Sequence, residues 1–160
     1  MENNKSFEIE PYQSAKPVEF GMSPDEVAEK LEEKASSEEK YPDTQKLKNR
    51  YYFDGAVRVH FDSDETVDEI SFAPRGGVAL SFDDKNLFDE KTVGNPLTVF
   101  LKHDENPLDD YGFIVFEKLG VAVTGYHDRD KSQRAITVFK KGRWTDLDQA
   151  KPIDLSKFSK

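Results

Sequence analysis

The stretch Glu19-Phe20-Gly21-Met22-Ser23-Pro24-Asp25-Glu26-Val27-Ala28-Glu29-Lys30-Leu31 constrains the chain most, because it carries every signal of a helix start. Ser23 is a favourable N-cap, Pro24 occupies the first helical position where a missing NH costs nothing, and Glu26 completes a capping box. Met22 stands where it can staple onto Val27, and Gly21 gives a flexible corner between an extended lead-in and the helix. The apolar positions Val27, Ala28 and Leu31 form one narrow stripe, and the acidic remainder is solvated. The spacing predicts a helix from Pro24 to roughly Lys34. Residues 35 to 49 are polar, contain Pro42, and read as a loop.

From Tyr51 the period changes from helical to alternating. Val57, Val59 and Phe61 alternate with Arg58 and His60, and after the turn Asp62-Ser63-Asp64-Glu65 the residues Ile70 and Phe72 alternate with Glu69 and Ser71. This is a hairpin with one wet face. Val78, Leu80 and Phe82 make a third strand that ends at Asp83-Asp84-Lys85-Asn86. The plan then recurs. Gly94-Asn95-Pro96 opens a short helix, about Pro96 to His103, and Phe113 to Phe116, Val121 and Val123, the turn Asp128-Arg129-Asp130-Lys131, then Ile136 and Val138 make a second meander. Phe53-Asp54-Gly55-Ala56-Val57-Arg58-Val59 parallels Phe116-Glu117-Lys118-Leu119-Gly120-Val121-Ala122-Val123, which points to a tandem repeat.

The expectation is a single α+β domain over residues 1–160. Its first unit spans about 17–88, its second about 89–143, and a C-terminal tail covers 144–160, with Ile153, Leu155 and Phe158 as anchors. Each unit is a helix and loop followed by an antiparallel meander, the helices covering one face of the sheet. Phe7, Ile9 and Tyr12 suit a short edge strand or arm. The expected core is Val27, Leu31, Val57, Val59, Phe61, Ile70, Phe72, Leu80, Val99, Phe116, Val121, Val123, Ile136 and Val138.

Composition limits the function classes. With 160 residues, 12 Phe, 6 Tyr and 1 Trp, the chain can bury a core without metals or disulfides. It contains no Cys, which removes disulfides, thiolate zinc sites and thiol catalysis. The start Met1-Glu2-Asn3-Asn4-Lys5-Ser6 lacks a basic region followed by an apolar one, and no run approaches the roughly 20 apolar residues of a membrane span, so a cytoplasmic protein is expected. The net charge is −9; residues 1–110 hold 26 acidic and 13 basic side chains, and residues 111–160 hold 6 and 10. An acidic body disfavours nucleic acid, whose binding is carried by Lys and Arg, and suits a basic protein partner.

No catalytic, cofactor-binding or metal-binding residue is expected. His60, His103 and His127 stand in no ligand spacing and read as surface histidines. Asp62-x-Asp64-x-Thr66 resembles the opening of a calcium loop, but Val67 stands where the glycine belongs and Ala73 where the closing Glu belongs. Arg75-Gly76-Gly77 precedes a strand, lacks the P-loop Lys, and reads as a turn. The candidate partner-binding residues are the acidic turns Asp62, Asp64, Glu65, Asp83 and Asp84, together with Tyr51, Tyr52 and Tyr111 near strand starts. Acidic groups steer a basic partner and tyrosines supply rigid contact area.

Two resemblances grow from these residues. Pro11-Tyr12, Val18-Glu19-Phe20-Gly21-Met22-Ser23-Pro24-Asp25-Glu26-Val27, Gly55-Ala56-Val57-Arg58-Val59-His60-Phe61-Asp62 and Val67-Asp68-Glu69-Ile70-Ser71-Phe72 resemble small cytoplasmic immunity-type proteins of bacterial polymorphic toxin loci, over roughly residues 10 to 140. That resemblance implies a stoichiometric binder, not an enzyme, which neutralises a cognate toxin domain such as a basic nuclease. Phe20-Gly21-Met22-Ser23-x-x-x-Val27 is also similar to the helix start of the barrel-assembly lipoproteins and of the tandem-repeat β-lactamase inhibitor proteins, which implies helices laid on an antiparallel sheet. An envelope-assembly module, a small-ligand binder and a hydrolase remain as alternatives.

Overall fold

The computed structural model describes residues 5–127, 131–144, 147 and 150–155. Two sheets dominate it. The smaller contains β1 (Ser6–Glu10), β2 (Ser14–Lys16), β3 (Val18–Glu19), β8 (Ala79–Phe82) and β9 (Lys85–Asn86), in the order β3-β2-β1-β8-β9. The larger contains β4 (Ser37–Lys40), β5 (Leu47–Tyr52), β6 (Val57–Phe61), β7 (Val67–Phe72), β10 (Leu108–Asp110), β11 (Phe113–Phe116), β12 (Val121–Thr124), β13 (Ala135–Phe139) and β14 (Lys151–Pro152). Its order is β14-β10-β11-β12-β13-β7-β6-β5-β4. All pairings among the described strands are antiparallel except that of β1 with β8.

The α+β expectation is therefore overturned. The described chain has only two α-helices, α1 (Pro24–Leu31) and α2 (Leu97–Leu101), and no helical layer covers the sheet. The reason is length. The apolar stripe of α1 ends at Leu31, and Glu32 takes a left-handed conformation there, with its NH bonded to Ala28 O. Glu32, Glu33 and Lys34 have nothing to bury, so the helix stops short of Lys34. α2 is five residues long; Asn95 Oδ1 accepts from Leu97 NH, and Leu97, Val99 and Phe100 are buried. The start of α1 holds every expected cap bond: Glu26 NH donates to Ser23 Oγ, and Ser23 NH donates to Glu26 Oε1. Gly21, at φ 94°, turns the chain so that Gly21 NH reaches Val67 O and Val67 NH reaches Met22 O.

What covers the inner face of the large sheet is the small sheet. Phe7 of β1 meets Phe72 of β7 with ring centroids 5.0 Å apart. Phe100 of α2 lies between the layers, 5.5 Å from Phe82 of β8 and 5.4 Å from Phe116 of β11. All fourteen residues expected in the core are buried. β1, expected as an edge strand or arm, is instead central in its sheet. Residues 35–49, expected as a loop, form β4 and the start of β5. β4 is an exposed edge strand with no apolar face, so its sequence carries no alternation; its charged side chains blunt the edge. In the tail, Leu155 is buried, Ile153 packs against the core, and β14 pairs with β10. Phe158 and the turn residues Asp128, Arg129 and Asp130 lie outside the described residues.

Two four-stranded meanders, β4–β7 and β10–β13, meet through their last strands, with Ile136 opposite Phe72 and Val138 opposite Ile70. Truncating Phe72 to Ala removes a fully buried ring that contacts both layers and should cost about 3 to 5 kcal/mol. Urea unfolding measures this; a loss below about 1 kcal/mol would mean that the two sheets do not share a core there.

Candidate functional site

The register of the large sheet sorts its side chains between two faces. Tyr52, Val57, Val59, Ile70, Phe72, Val121, Val123, Ile136 and Val138 point into the core. The other face carries Tyr51, Asn49, Arg58, Glu69, Ser71, Thr137, Phe139, Ala122, Val115, Phe113 and Asp110 in successive cross-strand positions. It also gathers the buried polar residues Asn49, His60, Asp68, Glu69 and Thr137.

A β-bulge concentrates charge there. His60 pairs with Glu69 and Phe61 with Val67, so Asp68 is one residue extra in β7. Two carboxylates become neighbours at one point of the face. His60 Nδ1 lies 2.5 Å from Asp68 Oδ1, and Arg143 Nε lies 3.2 Å from Asp68 Oδ2 and 3.7 Å from Glu69 Oε1. Arg58 Nη2 donates to Glu69 Oε2 at 2.7 Å, and the indole NH of Trp144 donates to Glu69 Oε1 at 2.8 Å. From Arg58 the network continues through Asn49 and Glu39 to the hydroxyl of Tyr51. Burial by itself would raise the Glu69 carboxyl. The Trp144 NH and the charges of Arg58 and Arg143 outweigh it and hold the group below the ordinary carboxylate range.

Beside this network the face turns aromatic. Trp144 stacks on Phe139 with centroids 5.2 Å apart and meets Phe113 edge-on at 5.1 Å. Val115, Ala122 and Phe139 form a second small core beneath them, separate from the one between the sheets. Next to Trp144 opens a cleft of about 450 Å³ lined by Glu69, Asp110, Tyr111, Phe113, Arg143 and Leu147 as well. One carboxylate oxygen of Asp110 is buried there with no hydrogen-bond partner among the described residues.

Tyr111 stands at the rim, at the tip of the hairpin joining β10 to β11. It is 83% exposed, the one exposed large hydrophobic side chain among the described residues. Tyr111 (φ 52°) and Gly112 (φ 90°) both take the positive φ that a tight two-residue hairpin demands. A tyrosine is a poor occupant of that position, at a cost of about 1 kcal/mol. Tyr12 and Phe53 share the left-handed conformation, but Tyr12 packs on Phe139 and bonds to the Glu117 carbonyl, and Phe53 packs on Phe7 and Tyr52. Tyr111 has no such packing, so its strain is not repaid within the fold.

The residues expected at a partner surface do not form one site. Asp62 and Asp64 to Glu65 sit in the β6–β7 hairpin, but they are not equally free. Asp62 accepts from Asp64 NH, Thr66 NH and the Thr66 hydroxyl, and Glu65 accepts from Leu47 NH. The Asp62 carboxylate builds the turn, that of Glu65 ties the turn to β5, and the side chain of Asp64 is exposed. Asp83 and Asp84 form the β8–β9 turn of the other sheet, where Asp83 pairs with His103 at 3.2 Å and Lys85 at 3.5 Å. Tyr52 is fully buried and cannot touch a partner. Tyr51 bonds to Glu39 at 2.5 Å. It lies in β5, six strand spacings from β10, or about 29 Å from the Tyr111 hairpin at roughly 4.8 Å per strand. His60, expected on a wet face, is 6% exposed, because Asp68 and the ring of Tyr41 enclose it. His127 is half-buried. Among the described residues no group of three or more His, Asp or Glu is placed to hold a metal ion, and no helix is long and apolar enough to cross a membrane.

Sequence reasoning missed Asp68, Glu69, Asp110, Arg143 and Trp144. The repeated acidic pair Asp109-Asp110 next to Tyr111-Gly112, a turn signal filled by an aromatic, was the available clue.

Two outcomes follow for stability. Tyr111→Gly relieves the left-handed strain and should raise stability by about 1 kcal/mol in urea unfolding; a destabilised variant would mean that Tyr111 supports the fold. Glu69→Gln removes a carboxylate whose folded pKa is depressed, so its stabilisation is present above the ordinary value of 4.5 and lost as pH falls through the lower folded value. The gap between wild type and Glu69→Gln should therefore close as the pH falls below 4.5, and a gap independent of pH would contradict it. Compared with protein-family models, with curated proteins and with solved structures, the chain shows no significant match.

Proposed function

We propose that this chain is a cytoplasmic immunity-type protein that binds a cognate toxin domain stoichiometrically and blocks it. The observation that carries the reading is Tyr111, a large aromatic held in a strained conformation, solvent-exposed, on the rim of an aromatic cleft. Strain without internal packing is in keeping with a side chain kept for a partner, and Tyr, Trp and Arg are the residue types that dominate binding energy at protein interfaces. The sheet supports the same reading: two meanders joined edge to edge by β7 and β13 present one broad face. The net charge of −9 favours a basic partner, which a nuclease domain would provide.

The partner is sought in the reading frame immediately upstream. Its C-terminal domain, expressed with this chain, should form a 1:1 complex on size exclusion with light scattering, and cells expressing both should survive. Unprotected cells and no complex with that domain would overturn the proposal. Association should be fast at low salt and slow as screening shortens the attraction to about 8 Å near physiological ionic strength. Asp64→Lys and Asp84→Lys, both at exposed turn positions, should lower the association rate without unfolding the domain. An association rate indifferent to salt would remove charge steering from the mechanism.

A further inference from the structure

The cleft beside Tyr111 has a more specific chemistry than a generic interface. Its charges can be matched one by one. Asp68 faces His60 and Arg143, and Glu69 is held by Arg58, Arg143 and the Trp144 indole, so the acid network there is internally satisfied. Asp110 differs. It lines the same cleft and has a buried carboxylate oxygen without a partner among the described residues. A buried acceptor left unpaired is costly, and the cost is recovered when the Asp110 carboxylate turns toward a donor that enters the cleft. Around it stand Tyr111, Phe113 and Trp144, whose π faces attract cations.

From this juxtaposition we propose that the cleft is a socket for an arginine side chain presented on the surface of a protein partner. A planar guanidinium meets both demands at once, since it stacks on aromatic rings and donates a fork of NH groups to a carboxylate. Lysine offers a strongly hydrated point charge and satisfies the first demand less well. A protein segment is the occupant because Tyr111 projects from the hairpin tip at 83% exposure, where it contacts a surface and does not close over a small molecule. The chain's net charge of −9 favours the approach of a segment rich in arginine. This inference rests on the reading of the chain as a protein binder, and it names the group on the partner that the cleft receives.

The test uses the single tryptophan of the chain, Trp144, as a reporter inside the cleft. The full chain is titrated with acetyl-Gly-Arg-Gly-amide and with the same peptide carrying citrulline or lysine, and its fluorescence is followed. Arginine should give a saturable change, with binding about tenfold weaker for citrulline, which keeps the shape and loses the charge. Asp110→Asn should weaken arginine binding by about fivefold or more, and Tyr111→Gly should do the same although it stabilises the fold. Equal responses to arginine and citrulline, or undiminished binding by Asp110→Asn, would overturn the proposal. Agmatine bound more tightly than the peptide would overturn it too, by making the cleft a small-molecule site. The two readings fail separately. A toxin complex that forms unaltered with Asp110→Asn and Tyr111→Gly removes the socket and leaves the immunity function, whereas arginine-selective binding with no toxin complex removes the function and leaves the socket.

Discussion

The pairing of β7 with β13 is the join on which the rest of the structure depends. Each of these strands ends one meander, and their antiparallel ladder makes one nine-stranded sheet of two smaller ones. On its inner side Ile70, Phe72, Ile136 and Val138 continue a single apolar surface across the seam, which the small sheet then covers through Phe7. On its outer side the Ser71 and Thr137 hydroxyls lie 2.5 Å apart, and Glu69 stands opposite Phe139. The seam therefore fixes both faces at once. A slip of one residue would exchange the core for the polar network.

The outer face is shaped by a local irregularity in that same strand. The extra residue in β7 places Asp68 beside Glu69, and the two carboxylates need counter-charges in a position where water is scarce. Arg58 comes from the neighbouring strand, but Arg143 and Trp144 come from beyond the end of β13. The charge placed by the bulge thus holds the segment after β13 against the sheet, and that segment supplies one wall of the cleft. The opposite wall is the β10–β11 hairpin, positioned by Asp110 facing Phe113 across the ladder. The buried network is satisfied, whereas beside it Tyr111 is left strained and a buried oxygen of Asp110 has no hydrogen-bond partner among the described residues.

Much of the fold was legible where one residue type has one physical use. The capping box at Ser23 and Glu26 formed as its chemistry dictates, because both bonds are closed within three residues. The alternating runs in β6, β7, β12 and β13 buried the expected side chains, because a period of two leaves one face for the core. The helical layer was misjudged, since a good start says nothing about length or about which layer covers a sheet. β4 was invisible because an edge strand exposed on both sides needs no apolar pattern. Of the surface residues singled out, Tyr111 lies at the cleft, while Tyr52 belongs to the core, Asp62 braces its own turn and Glu65 ties that turn to β5.

The sequence by itself determined what neighbours in the chain can decide: the start of α1, the alternating strands β6, β7, β12 and β13 with their inward residues, the turn from Asp62 to Glu65, and the acidic balance. Those depend on bonds and periodicities a few residues long. Only the tertiary structure decided that β1 lies inside its sheet, that two meanders fuse at β7 and β13, and that Glu69 and Trp144, 75 residues apart, share a hydrogen bond. Such contacts depend on strand order and on a one-residue bulge. Neither leaves a periodic trace in the sequence, so the cleft they build could be read only once the sheets were in place.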